Sequence, residues 1–277
     1  MTLTGVRAVT LDFGNALVRI DRAALRDVVA RTAESVVKPL GLGAPGAFLA
    51  AWAEERDRQF REEVPRFREV NLQQRAVRVV ARLRGMSAPP HDEAWADAAA
   101  ALRSTTGEIA LIVEAYSGAF VARIPAPASS GRVIYALANR GFLVAILSNW
   151  PLGATIDRFA EAAGWMPDLA GIFVSERIGI IKPHPAIFAH AEAALGLEPA
   201  DILHVGDDWT ADVTGAAGAG WRSAYLIGHQ GDTPLPTSEA PPDASPEVRP
   251  DLEIRSLDEL GAHLADPPAE WPTAATP

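Results

Sequence analysis

The sequence contains no cysteine, which removes disulfide frameworks, thiolate metal sites and cysteine nucleophiles together. Any metal must therefore be held by oxygen or histidine. Basic residues are also scarce: 25 Lys and Arg stand against 35 Asp and Glu, for a net charge of −10. Nucleic acid and anionic membrane surfaces call for a basic face, so neither is an expected partner. A small anionic substrate would need a local cation or a metal. Long apolar runs are missing too. None approaches the ~18 residues of a spanning helix, and the opening MTLTGVRAVTLDF has neither a basic leader nor an apolar stretch of signal length. A cytoplasmic protein is expected.

What is present is a chain of 277 residues, 48% of them hydrophobic, long enough to bury one large core or two modest ones. RAVTLDF is rich in β-formers and stops at Asp-Phe-Gly-Asn, which reads as a buried strand entering a turn. Helical patterns follow over 21–40, 45–60, 72–85, 92–104 and 108–116, punctuated by Gly, Pro and Ser/Thr. After IPAPASSG the texture alternates. Helices are expected at 131–141, 152–164, 185–196 and 210–220, and strands at 142–148, 171–175, 201–206 and 222–228. Alternation of this kind implies a parallel sheet covered on both faces.

The expected fold is thus a Rossmann-like α/β domain made of residues 1–16 and 129–265, with a helical domain inserted at 17–128. The Pro-rich stretch 229–250 is expected to be a loop within the core, and 266–277 a tail. The literal glycine pattern GLGAPG at 41–46 lacks a preceding strand and is broken by Pro45, so it is not a dinucleotide site. The DFG at 12–14 lacks the loops a kinase would need upstream.

In an open parallel sheet, ligands bind at the carboxyl ends of the strands. Those ends carry Asp12, Ser148-Asn149, the neighbourhood of Lys182, and Asp207-Asp208. A carboxylate, a hydroxyl, an amine and an acid pair on one edge suit phosphoryl chemistry: nucleophile, hard oxygen ligands for magnesium, and donors for phosphate oxygens. Read singly, each has a plainer account. Asp12 could be a turn residue, Ser148 and Asn149 could cap the next helix, Lys182 could be a solvated surface residue, and GDDWTAD could be a capping turn. Trp150 and Trp209 read first as packing residues. Arg66 and Arg68 could reach a substrate from the insert, and His184 is a spare proton donor. The remaining histidines show no ligand spacing.

Four stretches in order, AVTLDFGNALV, VAILSNW, GIIKPHPAIF and HVGDDWTAD, resemble the four motifs of the haloacid dehalogenase superfamily. The likeness covers roughly residues 6–20 and 129–262, and the insert resembles a type-one cap. The resemblance implies that Asp12 attacks phosphorus, that Ser148 and Asn149 bind phosphoryl oxygens, and that Lys182 neutralises nucleophile and phosphate. It also implies Mg²⁺ held by Asp12, the carbonyl of Gly14 and Asp207, with Asp208 and Asp212 completing the acidic shell. A small phosphorylated substrate follows; oligomeric state is left open.

Gly14 departs from the pattern. Phosphatases of that family usually carry a second Asp there, which protonates the leaving group and then activates water. General acid-base help is worth ~10²–10⁴ in rate, so the expected enzyme is a slow or specialised phosphohydrolase. The alternatives are 2-haloacid dehalogenation, which needs no acid at position 14, and a phosphate- or partner-binding protein without turnover.

Overall fold

The computed structural model describes residues 2–88, 102–228, 231, 233–235, 238–239 and 248–267. Its centre is a six-stranded, all-parallel sheet in the order β3-β2-β1-β4-β5-β6. The strands are β1 (Ala8–Leu11), β2 (Leu143–Ser148), β3 (Gly171–Val174), β4 (Ile202–Gly206), β5 (Arg222–Leu226) and β6 (Leu252–Ile254). β1 and β4 are buried along their whole length, as strands covered on both faces must be. β1 lies between β2 and β4, with Leu11 in register with Ile146 on one side and Val205 on the other. The chain fills one side of β1 and then returns to the other. The carboxyl ends of β1, β2 and β4 therefore border the crevice where such sheets bind ligands.

Among the described residues, the block that follows β1 contains the helices α1 (Arg22–Val36), α2 (Pro45–Glu62), α3 (Leu72–Leu83) and α4 (Thr106–Arg123). The starts of α1, α3 and α4 are written in side chains. Asp21 and Asn71 accept from backbone N–H groups three residues on, and Thr105 and Glu108 form a capping box. The longer described helices of the sheet domain are α5 (Ala128–Asn139), α6 (Gly153–Ala162) and α7 (Pro185–Leu195).

The helical block and the sheet share one hydrophobic core. Phe13, just past β1, sits 6.2 Å from Phe120 of α4, 5.4 Å from Trp150 and 5.3 Å from Phe159 of α6, mostly edge to face. Backbone bonds from Leu72 to Pro151 (3.0 Å) and from Ile181 to Phe67 (3.1 Å) stitch α3 and its approach to the sheet edge. No single described helix is long and apolar enough to cross a membrane.

Two elements differ from the sequence reading. α4 continues to Arg123, through the Ser117-Gly118 that looked like punctuation, because Ser117 hydrogen-bonds Thr155 of α6 inside the core (2.9 Å). The helix expected over 210–220 begins as a π-helix, Trp209–Thr214, and closes with one turn, Gly215–Gly218. The helix expected over 92–104 lies almost wholly outside the described residues, as do most of the tail and much of 229–250.

Candidate active site

β1 delivers Asp12 to the crevice, and the turn after it is held tightly. Asn15 adopts a left-handed φ of 63°, a conformation Asn tolerates, and its Oδ1 accepts from the Ile20 N–H. Lys182 reaches the same point from the loop after β3. Its Nζ lies 2.8 Å from Asp12 Oδ1, 2.7 Å from Asp212 Oδ1, 2.9 Å from the Leu147 carbonyl and 3.2 Å from His204 Nε2. Asn149 does not face outward: its Nδ2 donates to the Lys182 carbonyl (3.0 Å) and its Oδ1 accepts from the Lys182 N–H (2.7 Å). Its side chain fixes the lysine loop, so phosphate contact through that side chain would require breaking two hydrogen bonds. Ser148 is buried beside Asp12 and biases it toward the charged form, but its hydroxyl has no well-formed hydrogen bond among the described residues.

Asp12, Asp207 and Asp212 can each offer an oxygen within 4.8 Å of the others. Asp208 stands apart from this group. One of its oxygens caps the π-helix through the Ala211 N–H (2.7 Å), and the pair together hold Ser238 through its N–H and hydroxyl. Asp212 fits only because residue 206 is glycine; a Cβ there would lie 2.0 Å from Asp212 Oδ2.

Burial, opposed by Lys182 and reinforced by Asp212, lifts the Asp12 carboxyl to about 6. Burial and then its three acidic neighbours lift Asp207 to about 8. Asp212 goes the other way: burial works against it, yet Lys182 and His204 hold it well below the ordinary carboxylate range. Burial would likewise strip Lys182 of its proton, and Asp12 and Asp212 more than reverse that. His204 is kept neutral by burial and by the neighbouring ammonium. Its partners, Asp212 at Nε2 (3.1 Å) and Thr10 Oγ1 at Nδ1 (2.8 Å), fit the tautomer with the proton on Nε2. Three buried carboxylates sharing one ammonium carry surplus negative charge, and their all-oxygen donor set suits a hard divalent cation.

Position 14 is where the structure adds most. A cavity of about 480 Å³ opens over Asp12, and Gly14 forms part of its wall. A Cβ at Gly14 would meet Leu235 Cδ1 at 2.6 Å, Trp150 at 3.7 Å and Asp12 Oδ2 at 4.0 Å. Leu235 therefore occupies the space that a second acid would need. It is brought there by a short strap, residues 233–235, fastened by Asn15 Nδ2 to Thr233 Oγ1 (3.2 Å), while Ser238 is tied to Asp208. Trp150 packs in the aromatic cluster and also forms part of the cavity wall. Trp209 packs on Tyr225 (5.3 Å) away from it.

The helical block closes the cavity from above. Arg66 and Arg68 do not reach it; Arg68 turns back to Glu63 (2.8 Å). His184 caps α7 through the Ala186 N–H (3.2 Å) and also lies outside the cavity. Among the polar residues of the block that do reach it are Arg56 of α2, Arg75 of α3, Tyr116 of α4 and Glu69, all missed by sequence reasoning. Glu69 is bonded to Ser175 Oγ and to the Val70 N–H, and burial pushes it up to about 7.

The order of these strand-end groups has a counterpart among known proteins. A family model described as haloacid dehalogenase-like hydrolase matches residues 6–220. The chain belongs to that family of hydrolases. This haloacid dehalogenase-like hydrolase is 32% identical over 122 residues to a phosphoserine phosphatase from Thermus thermophilus, 44% of each chain. It is 43% identical over 49 residues to a glyceraldehyde 3-phosphate phosphatase from Methanopyrus kandleri, 18% of this chain and 21% of that one. It thus spans less than half the length of these curated relatives. In fold the hydrolase is similar to a 2-haloacid dehalogenase from Pseudomonas syringae (TM-score 0.63, 21% identity, covering 93% and 97% of the two chains). It also resembles a phosphatase of the same family from Thermococcus onnurineus (TM-score 0.56, 17% identity, 93% and 97%).

Proposed function

We propose that the chain is a Mg²⁺-assisted phosphohydrolase that works through an aspartyl-phosphate on a small phosphate ester or anhydride. The observation that carries this reading is the cluster itself. Lys182 Nζ bridges Asp12 and Asp212 at 2.8 and 2.7 Å, beside an acidic trio that suits a hard cation. Asp12 Oδ1 is held by the ammonium, while Oδ2 faces Gly14 and the cavity. An oxygen of Asp12 attacks phosphorus, the bond from phosphorus to the leaving oxygen breaks, and that oxygen departs with the electron pair. Water then cleaves the acyl phosphate and restores Asp12. Asp12, Asp207 and Asp212 would hold the cation, which when bound would supply charge neutralisation for the phosphoryl oxygens. Lys182 contributes fixed positive charge, Asn149 positions the lysine loop, and the helical block excludes water.

Leu235 over Gly14 shapes the choice of substrate. No acid at position 14 protonates the leaving oxygen, so the favoured substrates are acyl and aryl phosphates, whose leaving groups are stable as anions. The same apolar wall favours a second reading, displacement of halide from a 2-haloacid by Asp12, which needs neither an acid at position 14 nor a metal.

Phosphate release from an aryl phosphate, with and without Mg²⁺, tests the first reading. Asp12→Asn is expected to lower turnover on the order of 10³-fold or more. Halide release from 2-chloropropionate in the presence of EDTA, with no phosphate release under any condition, would overturn it in favour of the second.

A further inference from the structure

Among the arginines of the helical block, Arg75 is set apart by its surroundings. Arg58 pairs with Glu55 and Glu62, Arg78 with Glu55 at 3.2 Å, Arg84 with Glu108 and Arg123 with Asp27. Arg75 is only 5% exposed, yet no carboxylate among the described residues lies within ion-pair distance of it. Its Nε donates to Gln59 Oε1 (2.8 Å), and Gln59 is itself fixed by the Asn71 carbonyl (2.9 Å). The guanidinium lies 5.4 Å from the centre of the Trp52 ring. These contacts hold the group in place and leave its terminal nitrogens unspent at the cavity wall. Burial lowers Arg75 to about 10, so it stays charged near neutral pH. A buried cation without a counter-charge is costly, and a well-packed apolar residue would avoid that cost.

The nearby acid does not serve as its partner. Glu69 lines the same cavity but is committed to Ser175 and Val70 and is held partly protonated. A second donor stands beside Arg75 instead. Tyr116, 4% exposed, stacks on the same Trp52 (6.0 Å, 25° between planes). Burial pushes its hydroxyl up to about 12, so it keeps its proton, and no acceptor for it is found among the described residues. Arg56 also borders the cavity but spends Nε and Nη2 on Asp57.

We propose that Arg75 and Tyr116 form a carboxylate-binding subsite at the cap end of the cavity, and that the substrate carries a carboxylate remote from the group Asp12 attacks. This deepens the phosphohydrolase reading and rests on it for the reacting end. One planar guanidinium matches one monoanionic carboxylate, its terminal nitrogens donating to both carboxylate oxygens, with the phenol as a further donor. A cavity of about 480 Å³ has room for a small two-ended metabolite of this kind. Leu235, Phe60 and Val64 contribute apolar wall to the same cavity.

Calorimetric titration with two inert phosphonates tests the subsite without turnover. The full-length protein with Mg²⁺ is titrated with 3-phosphonopropionate and with propylphosphonate, which differ only in the terminal carboxylate. The wild type is expected to prefer the carboxylate by about tenfold or more. Arg75→Gln is expected to reduce that preference to less than about twofold, Arg75→Lys to keep an intermediate value, and Tyr116→Phe to lose about threefold. Equal affinities in the wild type, or an undiminished preference in folded Arg75→Gln, overturn the proposal. Should Arg75→Gln not fold by circular dichroism, unchanged preferences in both Arg75→Lys and Tyr116→Phe do the same. Carboxylate preference without phosphate release from any aryl phosphate would retain the subsite and remove the phosphatase reading. Phosphate release without the preference would do the reverse.

Discussion

At Gly14 the obstacle to a side chain is the methyl group of Leu235, 2.6 Å from where a Cβ would stand. Restoring the missing acid is therefore a two-site problem. Gly14→Asp alone is expected to raise alkyl phosphate hydrolysis little, because the strap must be displaced first. Gly14→Asp with Leu235→Ala is expected to raise it ~10–10²-fold, part of the range open to a general acid, with a smaller gain on aryl phosphates. Phosphate release from both substrate types for both variants checks this; a full gain from the single variant would show that Leu235 yields freely. Lys182 makes a second case. Replacing it by Met leaves Asp12 and Asp212 without their shared ammonium, and loss of one partner of a buried ion pair costs about 3–5 kcal/mol. Urea unfolding of Lys182→Met in the absence of divalent cations should show a loss of that size. Strand ends alone pointed to Asp12, the neighbourhood of Lys182 and Asp207, and the family resemblance added Asp212, which the fold brings beside them from the π-helix after β4. Arg75 was hidden, since LQQRAVRVVARL reads as an ordinary amphipathic helix whose arginines face water. Leu235 was hidden for another reason: its contact with Gly14 closes over most of the chain, and no local pattern signals it.

At the scale of elements, the joint between α3 and the sheet carries a titratable group. Glu69 bonds Ser175 at the end of β3, and its carboxyl rises from 4.5 to about 7 on burial. The folded state thus binds this proton more tightly than the unfolded chain does. Its contribution to stability is fully present below about 4.5 and is lost as pH rises toward about 7, an effect on the order of 3 kcal/mol. Glu69→Gln is expected to flatten the fall in melting temperature across that window and to melt higher than wild type at pH 8. A parallel pair of melting curves would sink this account. Strands and most helices were legible because apolar alternation, Asp21, Asn71 and Thr105 mark them locally. The π-helix at Trp209–Thr214 was not. Its geometry comes from Asp208 and Asp212 being pinned to Ser238, His204 and Lys182, all distant in sequence.

At the scale of the whole molecule, a net charge of −10 and an acidic cleft leave cation binding as the natural route to neutrality near Asp12. A ligand that binds only the folded state at 100 times its Kd stabilises by about 2.7 kcal/mol, which for a chain of this size is a rise of roughly 5–10 °C in Tm. Mg²⁺ is expected to produce such a rise in the wild type and little or none in Asp207→Asn, by differential scanning calorimetry. An equal rise in both would place the cation elsewhere. The shared aromatic core binds α4 to the sheet, so the block above the cleft is part of one folded body. The leucine seated against Gly14 also constrains heredity. A lineage carrying this strap would gain little from an acid-restoring mutation while the leucine remains. Losing the leucine first would open the cleft to water with no acid to use it. Each step is worthless or harmful without the other, a sign-epistatic barrier that would keep descendants committed to substrates whose leaving groups need no proton.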